Sequence, residues 1–230
     1  MKSNSASEIV QLRQVLSERF PNVRAWTEET AAKAHSFWPT GLLHLDKLLN
    51  GGLPRGVVTE IVAEKTGTGS AVLLRLLLRQ SQHKAHPVGL IDGQDSFDAA
   101  TVQPSVLSQL LWVRCRTADE AIKATDILLR DHNLPLVALD LKMNPAHQLR
   151  KISAMAWYRL QRILRQTATA FVVITPFPIA VSADVRIHLA SQFALAALAR
   201  NENEILPELK FDLTRWSSGQ HTEPIAAQAG

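Results

Sequence analysis

Apolar positions recur along this chain of 230 residues with two different periods, and the alternation between them sets the expected elements. Ile9, Leu12, Leu16 and Phe20 fall at helical spacing, with Ser5 or Ser7 placed to cap a helix over residues 7–20 and Pro21 to stop it. Residues 21–37 are polar, hold no apolar period and read as a linker. From Trp38 onward, short apolar runs alternate with amphipathic ones. Residues 41–49 form a short helix closed by Asn50, Gly51 and Gly52. Residues 57–62 make a β-branched strand, and residues 70–83 a leucine-rich helix that is apolar on most sides. Strands follow at 87–91 and 110–115. A helix over 117–130 has Thr117 as its cap and Asp119 and Glu120 in its first turn. Next come a strand over 136–139 ending at Asp140, one long helix over 146–166, and the most apolar strand, 170–174.

Repeated strand–helix–strand units predict an α/β fold, a mostly parallel sheet with helices on both faces. The end of the chain differs. Residues 193–198 and 209–213 read as an antiparallel C-terminal hairpin joined by the polar loop 200–207, and residues 216–230 as a disordered tail. The expected organisation is a helix within residues 1–20, a linker over 21–37, a core over 38–215 and a tail over 216–230.

Composition narrows the classes. Hydrophobic residues make up 46% of the chain and charged residues 20%, so a packed core is expected. No apolar run reaches the length of a membrane span, and the first residues lack the apolar centre of a secretion signal. Cys115 is the single cysteine, which excludes an internal disulfide and a zinc site built on paired cysteines. A small apolar filler is its expected role. Asp92, Asp95 and Asp98 are spaced by three without the glycine and glutamate of a calcium loop, and read as a solvated turn. The expectation is a cytoplasmic protein without metal or cofactor.

The net charge of +4 is unevenly placed. From Leu141 to Ala183 there are six basic residues, Lys142, Arg150, Lys151, Arg159, Arg162 and Arg165, and no acid. On the helix of residues 146–166, Ile152, Ala156, Leu160 and Ile163 form the buried stripe, and Arg159, Arg162 and Arg165 rise near one face. Arg150 and Lys151 extend that charge, and Trp157 and Tyr158 interleave with it. Three readings stay open: a solvated face, non-sequence-specific contact with DNA phosphates, or docking on an acidic partner. The helix of Ile9, Leu12, Leu16 and Phe20 either packs back on its own core or docks on a partner.

A buried strand, a loop and a buried helix are the setting of a phosphate-binding loop. Such a loop needs glycines so that backbone N–H groups can wrap the phosphates. It needs a lysine at the start of the helix, and Ser or Thr after it for magnesium. Here Ala63-Glu-Lys-Thr-Gly-Thr-Gly-Ser70 follows the first core strand. Gly67, Gly69 and Ser70 are in place. Ala63 stands at the first glycine position, Gly69 precedes the serine, and Lys65, the lysine of the loop, comes four residues too early.

Residues 37–61, Phe-Trp-Pro-Thr-Gly through Gly-Gly-Leu-Pro-Arg-Gly to Glu-Ile, resemble the opening of a RecA-type core. Residues 90–98 resemble the next RecA strand and its acidic loop, residues 134–140 the Walker B strand, and residues 170–175 the strand after it. By the register of that resemblance, Gly69 replaces the phosphate lysine and Gln94 the glutamate that activates water, while Asp140 keeps the Walker B position. A glutamine side chain orients water but does not take its proton at neutral pH. Without the lysine, charge in a phosphoryl-transfer transition state lacks its main counter-ion. The site therefore reads as a relic, without catalysis and with no cofactor expected.

Within the RecA-like proteins the pattern is most similar to the ImuA group, sometimes labelled SulA-like. The shared features are the small size, the short N-terminal helix and linker, the Phe-Trp-Pro-Thr-Gly opening and the decayed loop. That resemblance implies an interaction scaffold in damage-induced mutagenic translesion synthesis. Its partners would be an inactive Y-family polymerase homologue (ImuB), an error-prone replicative-type polymerase and RecA itself. DNA would be reached through the basic helix. The two segments that correspond to the RecA loops for single-stranded DNA, residues 142–147 and 176–183, are short. Two alternatives remain open: a SulA-type inhibitor of cell division, and an active RecA-like ATPase or recombinase paralogue.

Overall fold

β-Branched and apolar runs too short for a helix become strands, and in the main sheet every one of them but the last finds a parallel neighbour. The computed structural model describes Val10, Gln11, Gln14, Val15 and Glu18, residues 37–81 and residues 86–217. In chain order the elements are β1 (Phe37–Trp38), α1 (Leu43–Leu48), β2 (Leu53–Pro54), β3 (Val58–Val62), α2 (Ser70–Arg79), β4 (Val88–Asp92), α3 (Pro104–Leu107), β5 (Leu110–Arg114) and α4 (Ala118–Asp131). There follow β6 (Leu136–Asp140), α5 (Ala146–Leu149), α6 (Ala154–Leu164), β7 (Ala170–Thr175), β8 (Val185–Leu189), α7 (Glu202–Ile205) and β9 (Phe211–Trp216).

Seven strands form one sheet in the order β5-β4-β6-β7-β3-β8-β9. All neighbours run parallel except β8 and β9, which form an antiparallel edge. β1 and β2 pair separately and antiparallel. The period of two along each strand divides the core into two layers. On one side Ile61, Leu90, Ala138 and Val172 pack with Trp38, Leu45 and the leucines of α2. On the other, Val58, Ile91, Leu139, Phe171 and Val173 pack with Leu128 and Leu129 of α4 and Trp157 and Leu160 of α6. The fold is α/β, as expected.

Two expectations are corrected. The first strand of the C-terminal edge is β8, not residues 193–198; residues Leu195–Ala199 form a 3-10 turn. Phe-Ala-Leu-Ala-Ala-Leu is apolar but rich in alanine, a poor strand former. The Val, Ile and Leu of β8 alternate with Arg186 and His188 and fit a pleat. The long helix of residues 146–166 is in fact α5 and α6, because Ser153 takes an extended conformation and its side chain accepts from Ala156 N as the cap of a new helix. The last strand, β9, ends at Trp216. The residues 7–20 carrying Ile9, Leu12, Leu16 and Phe20 have those four positions outside the described residues; Val10, Gln11, Gln14, Val15 and Glu18 are helical. The tail beyond Ser217 also lies outside them.

The opening of the core is built on short-range constraints. Asp46 Oδ1 accepts from both the backbone N and the hydroxyl of buried Thr40, at 2.8 and 2.7 Å. Gly52 lies at φ +129, where a Cβ would run into the Trp38 carbonyl. Thr-Gly, Leu-Asp and Gly-Gly therefore appear together because one turn needs all three.

β3 and β8 are tied by a buried charge pair. Glu60 is fully buried, and its carboxylate accepts from Thr175 Oγ1, from the backbone N of Ile179 and Ala180, and from Arg186 Nε at 2.7 Å. Replacing one member of such a pair strands the other charge. Arg186→Met is expected to lower the unfolding free energy by about 3 kcal/mol. Urea denaturation measures it, and a loss below about 1 kcal/mol would mean that the remaining donors satisfy Glu60 alone.

Candidate functional site

The C-terminal ends of β3, β4 and β6 meet at one edge of the sheet, where open α/β sheets place their ligand sites. The loop 63–69 lies between β3 and α2. Ala63 N donates to Thr175 O at 2.8 Å, which anchors its start to β7.

The connection from β8 to β9 touches the far end of the loop, while Glu64, Lys65, Thr66 and Gly67 are exposed. Phe193 N donates to Gly67 O at 2.7 Å, and Ser191 Oγ donates to Thr68 O at 3.1 Å. Lys210 N in turn donates to Ser191 Oγ at 3.2 Å. Gly69, at φ +86, is the residue before α2. A Cβ built there falls 2.5 Å from Leu209 Cδ2 and 3.2 Å from the Phe193 ring. At Gly67, φ +70, a Cβ would lie 2.6 Å from Phe193 O. Both glycines therefore answer a close approach by residues 193 and 209 as well as a left-handed backbone. A side chain at position 69 would require Leu209 Cδ2 to move and would be strained by the left-handed backbone.

A cation does reach the loop, from an unexpected place. The Lys142 ammonium, just past the end of β6, donates to the carbonyls of Ala63 and of Lys65, the latter at 3.1 Å. Lys65, which sequence reasoning singled out, is exposed. Burial pulls the Lys142 ammonium below its ordinary range, and the charges of Asp140 and Glu64 work against that. Nothing in the local sequence marks Lys142. Its role comes from a contact across 79 positions of chain.

Asp140 ends β6 beside Asp92, its register partner on β4. Burial pushes the Asp140 carboxyl up to about 6; Asp92 adds to the rise, while the Lys142 N–H bonded to Oδ1 at 2.9 Å opposes it. Asp92 is buried and accepts from the backbone N of Ser96 at 2.9 Å and of Phe97 at 2.8 Å, shaping the turn after β4. Gln94 sits on that turn, exposed, with Oε1 3.4 Å from Asn144 Nδ2. Asp95 pairs with Arg114, and Asp98 caps the turn Ala99–Thr101. No group of three or more His, Cys, Asp or Glu suited to a metal occurs among the described residues. Cys115 is buried, and burial raises its thiol to about 11, which leaves it protonated and unreactive.

The structure separates the five cations of the basic segment. Arg159 Nε contacts Asp126 of α4 at 2.8 Å, where Arg130 also binds. The Arg150 guanidinium stands 5.7 Å from the centre of the Phe177 ring. Lys151, Arg162 and Arg165 are exposed. Trp157 is a core residue, whereas Tyr158 is half exposed.

No family model matches the chain. The chain is similar to RecA proteins over somewhat under half its length. It is 30% identical to protein RecA of Methylococcus capsulatus over 105 residues, 44% of this chain and 30% of that one. It is 28% identical over 105 residues to that of Thermus thermophilus, 44% and 31% of the two chains, and 29% over 104 residues to that of Rickettsia canadensis, 44% and 30%. The matched stretch spans less than a third of these relatives. This supports a relationship at the level of the RecA-like superfamily, and the sheet is consistent with a RecA-like core. No helix among the described residues is long and apolar enough to cross a membrane.

The Asp140 environment has a pH signature. Its folded value of about 6 lies above the ordinary 3.8, so the folded state holds the proton more tightly than the unfolded chain. The stability from this group is fully present below about pH 4 and is lost as pH rises through about 6. Asp140→Asn is expected to flatten the fall in stability across that window. Urea unfolding of the parent and the variant at stepped pH reads it; two profiles of equal slope would remove the carboxyl from this account.

Proposed function

We propose that this protein is a non-hydrolysing RecA-like scaffold, an accessory of damage-induced mutagenic translesion synthesis. The observation that carries the first half is the state of position 69. Catalysis of phosphoryl transfer depends on a cation at the start of α2 that meets the charge developing on the phosphate. Gly69 supplies none, and Leu209 and Phe193 occupy the space a side chain would need. The ammonium that does reach the loop is bonded to loop carbonyls.

The second half rests on the RecA-like relationship together with the motif of residues 37–61. In this reading the surfaces of a RecA-like core bind partner proteins without a nucleotide cycle. The partners would be an inactive Y-family polymerase homologue of the ImuB kind, an error-prone replicative-type polymerase and RecA. The helix carrying Ile9, Leu12, Leu16 and Phe20 would add a second contact. DNA contact is the weaker part of the reading, because Arg159 and Arg150 already have neighbours and the three remaining cations neutralise few phosphates.

The test is hydrolysis of radiolabelled ATP by the full chain, with and without single-stranded DNA. Neither the parent nor Gly69→Lys is expected to turn ATP over, and the variant is expected to lose about 2 kcal/mol of stability from its left-handed backbone and the overlap with Leu209. Steady turnover by the parent would favour an active RecA-like ATPase instead.

A further inference from the structure

We propose that the outer face of α6 docks an acidic amphipathic segment of a partner protein, through Met155, Tyr158, Arg162 and Arg165. The inference deepens the scaffold reading and rests on it. Those four residues are spaced by three, four and three, which puts them on one strip about 15 Å long and about a quarter of the helix circumference wide. Met155 is 77% exposed and Tyr158 54%. Trp157, Leu160 and Leu164 fill the opposite side, against the sheet.

The elements on either flank leave this strip without an acid of its own. On one side Asp126 of α4 is engaged by Arg130 and by Arg159, whose side chain is thereby drawn off the strip. On the other, the Asp184 carboxylate is turned inward, accepting from Gln161 Nε2 at 3.1 Å and from Val58 N at 3.3 Å. No Asp or Glu occurs between Leu141 and Ala183. Arg162 and Arg165 are exposed and take part in no ion pair among the described residues.

The chemistry that matches is a pair of carboxylates beside large apolar side chains. Arginine takes a carboxylate with two parallel hydrogen bonds, and methionine and tyrosine cover apolar surface at small cost in order. A protein segment fits better than a nucleic acid. Two guanidinium groups neutralise only two phosphates, and a single tyrosine is a poor platform for successive bases. Met and Tyr next to Arg are instead the residues from which the dry centres of protein interfaces are made.

The test selects displayed random short peptides on the full chain. Selected peptides are then titrated by fluorescence anisotropy against the parent, against Met155→Ala with Tyr158→Ala, and against Arg162→Glu with Arg165→Glu. A labelled oligothymidine is titrated in parallel. The expected result is enrichment of peptides that combine Asp or Glu with Leu, Phe or Trp. Each double variant should weaken them roughly tenfold or more, with the oligothymidine unaffected. Peptides without acids, or peptides that bind both variants as they bind the parent, would overturn the proposal. So would a full chain that selects nothing, as it would if its own N-terminal helix sat on the strip, or an oligothymidine whose binding falls with the arginine pair. ATP turnover by the same protein would sink the scaffold reading while leaving the peptide result standing, so the two failures are distinguishable.

Discussion

The contact of Leu209 and Phe193 with Gly69 is the constraint on which this molecule turns. At the start of α2 the backbone is left-handed, and the volume in front of it is filled. From the other side the Lys142 ammonium bonds the carbonyls of residues 63 and 65. A loop of this kind has carbonyls and N–H groups that need partners when it is covered, and a charged donor is the strong way to satisfy the former. These contacts hold the two ends of the loop, at residue 63 and at residues 67–69, and leave its middle exposed.

The same contacts explain the C-terminal edge. The connection between β8 and β9 leaves and returns at the same end of the sheet, since Leu189 pairs with Phe211, and on the way it touches the phosphate-type loop at residues 67–69. Glu202 of α7 meets Arg75 at 3.5 Å and Arg79 at 3.4 Å, which holds the connection on α2, though pairs this exposed contribute little to stability each. His44 Nε2, on α1, lies 3.0 Å from Leu209 O and fixes its other end. The buried Glu60–Arg186 pair keeps β8 beside β3, and so keeps both ends of the connection over the loop. Binding surfaces on the far face, such as the strip on α6, are independent of this arrangement.

What could be read from the sequence follows the range of the interactions. β3, β6 and β7 are short, mostly apolar runs buried on both faces, and α2 is a leucine helix buried on most sides; each carries its signal within its own residues. β8 does not. Its Arg186 looks like a solvent residue until Glu60, 126 positions earlier, is known to face it. In residues 193–198 Phe193 packs against the loop while Leu195 is 85% exposed, so their apolarity does not mark a strand. At the candidate site the departures of Ala63 and Gly69 from the phosphate-loop pattern are legible from spacing alone. The cover over Gly69 and the ammonium from Lys142 were not, since both come from segments distant in sequence. The five cations read as one face, but Asp126 on α4 removes Arg159 from it.

The proposal of a non-hydrolysing scaffold has as its central claim that the loop 63–69 takes no nucleotide. Amide hydrogen exchange of residues 63–72 in the full chain, followed with and without Mg²⁺ and ATP at saturating concentration, tests it most directly. The account predicts the same exchange rates in both conditions. Strong additional protection of Gly67, Thr68, Gly69 and Ser70 on adding nucleotide would contradict it.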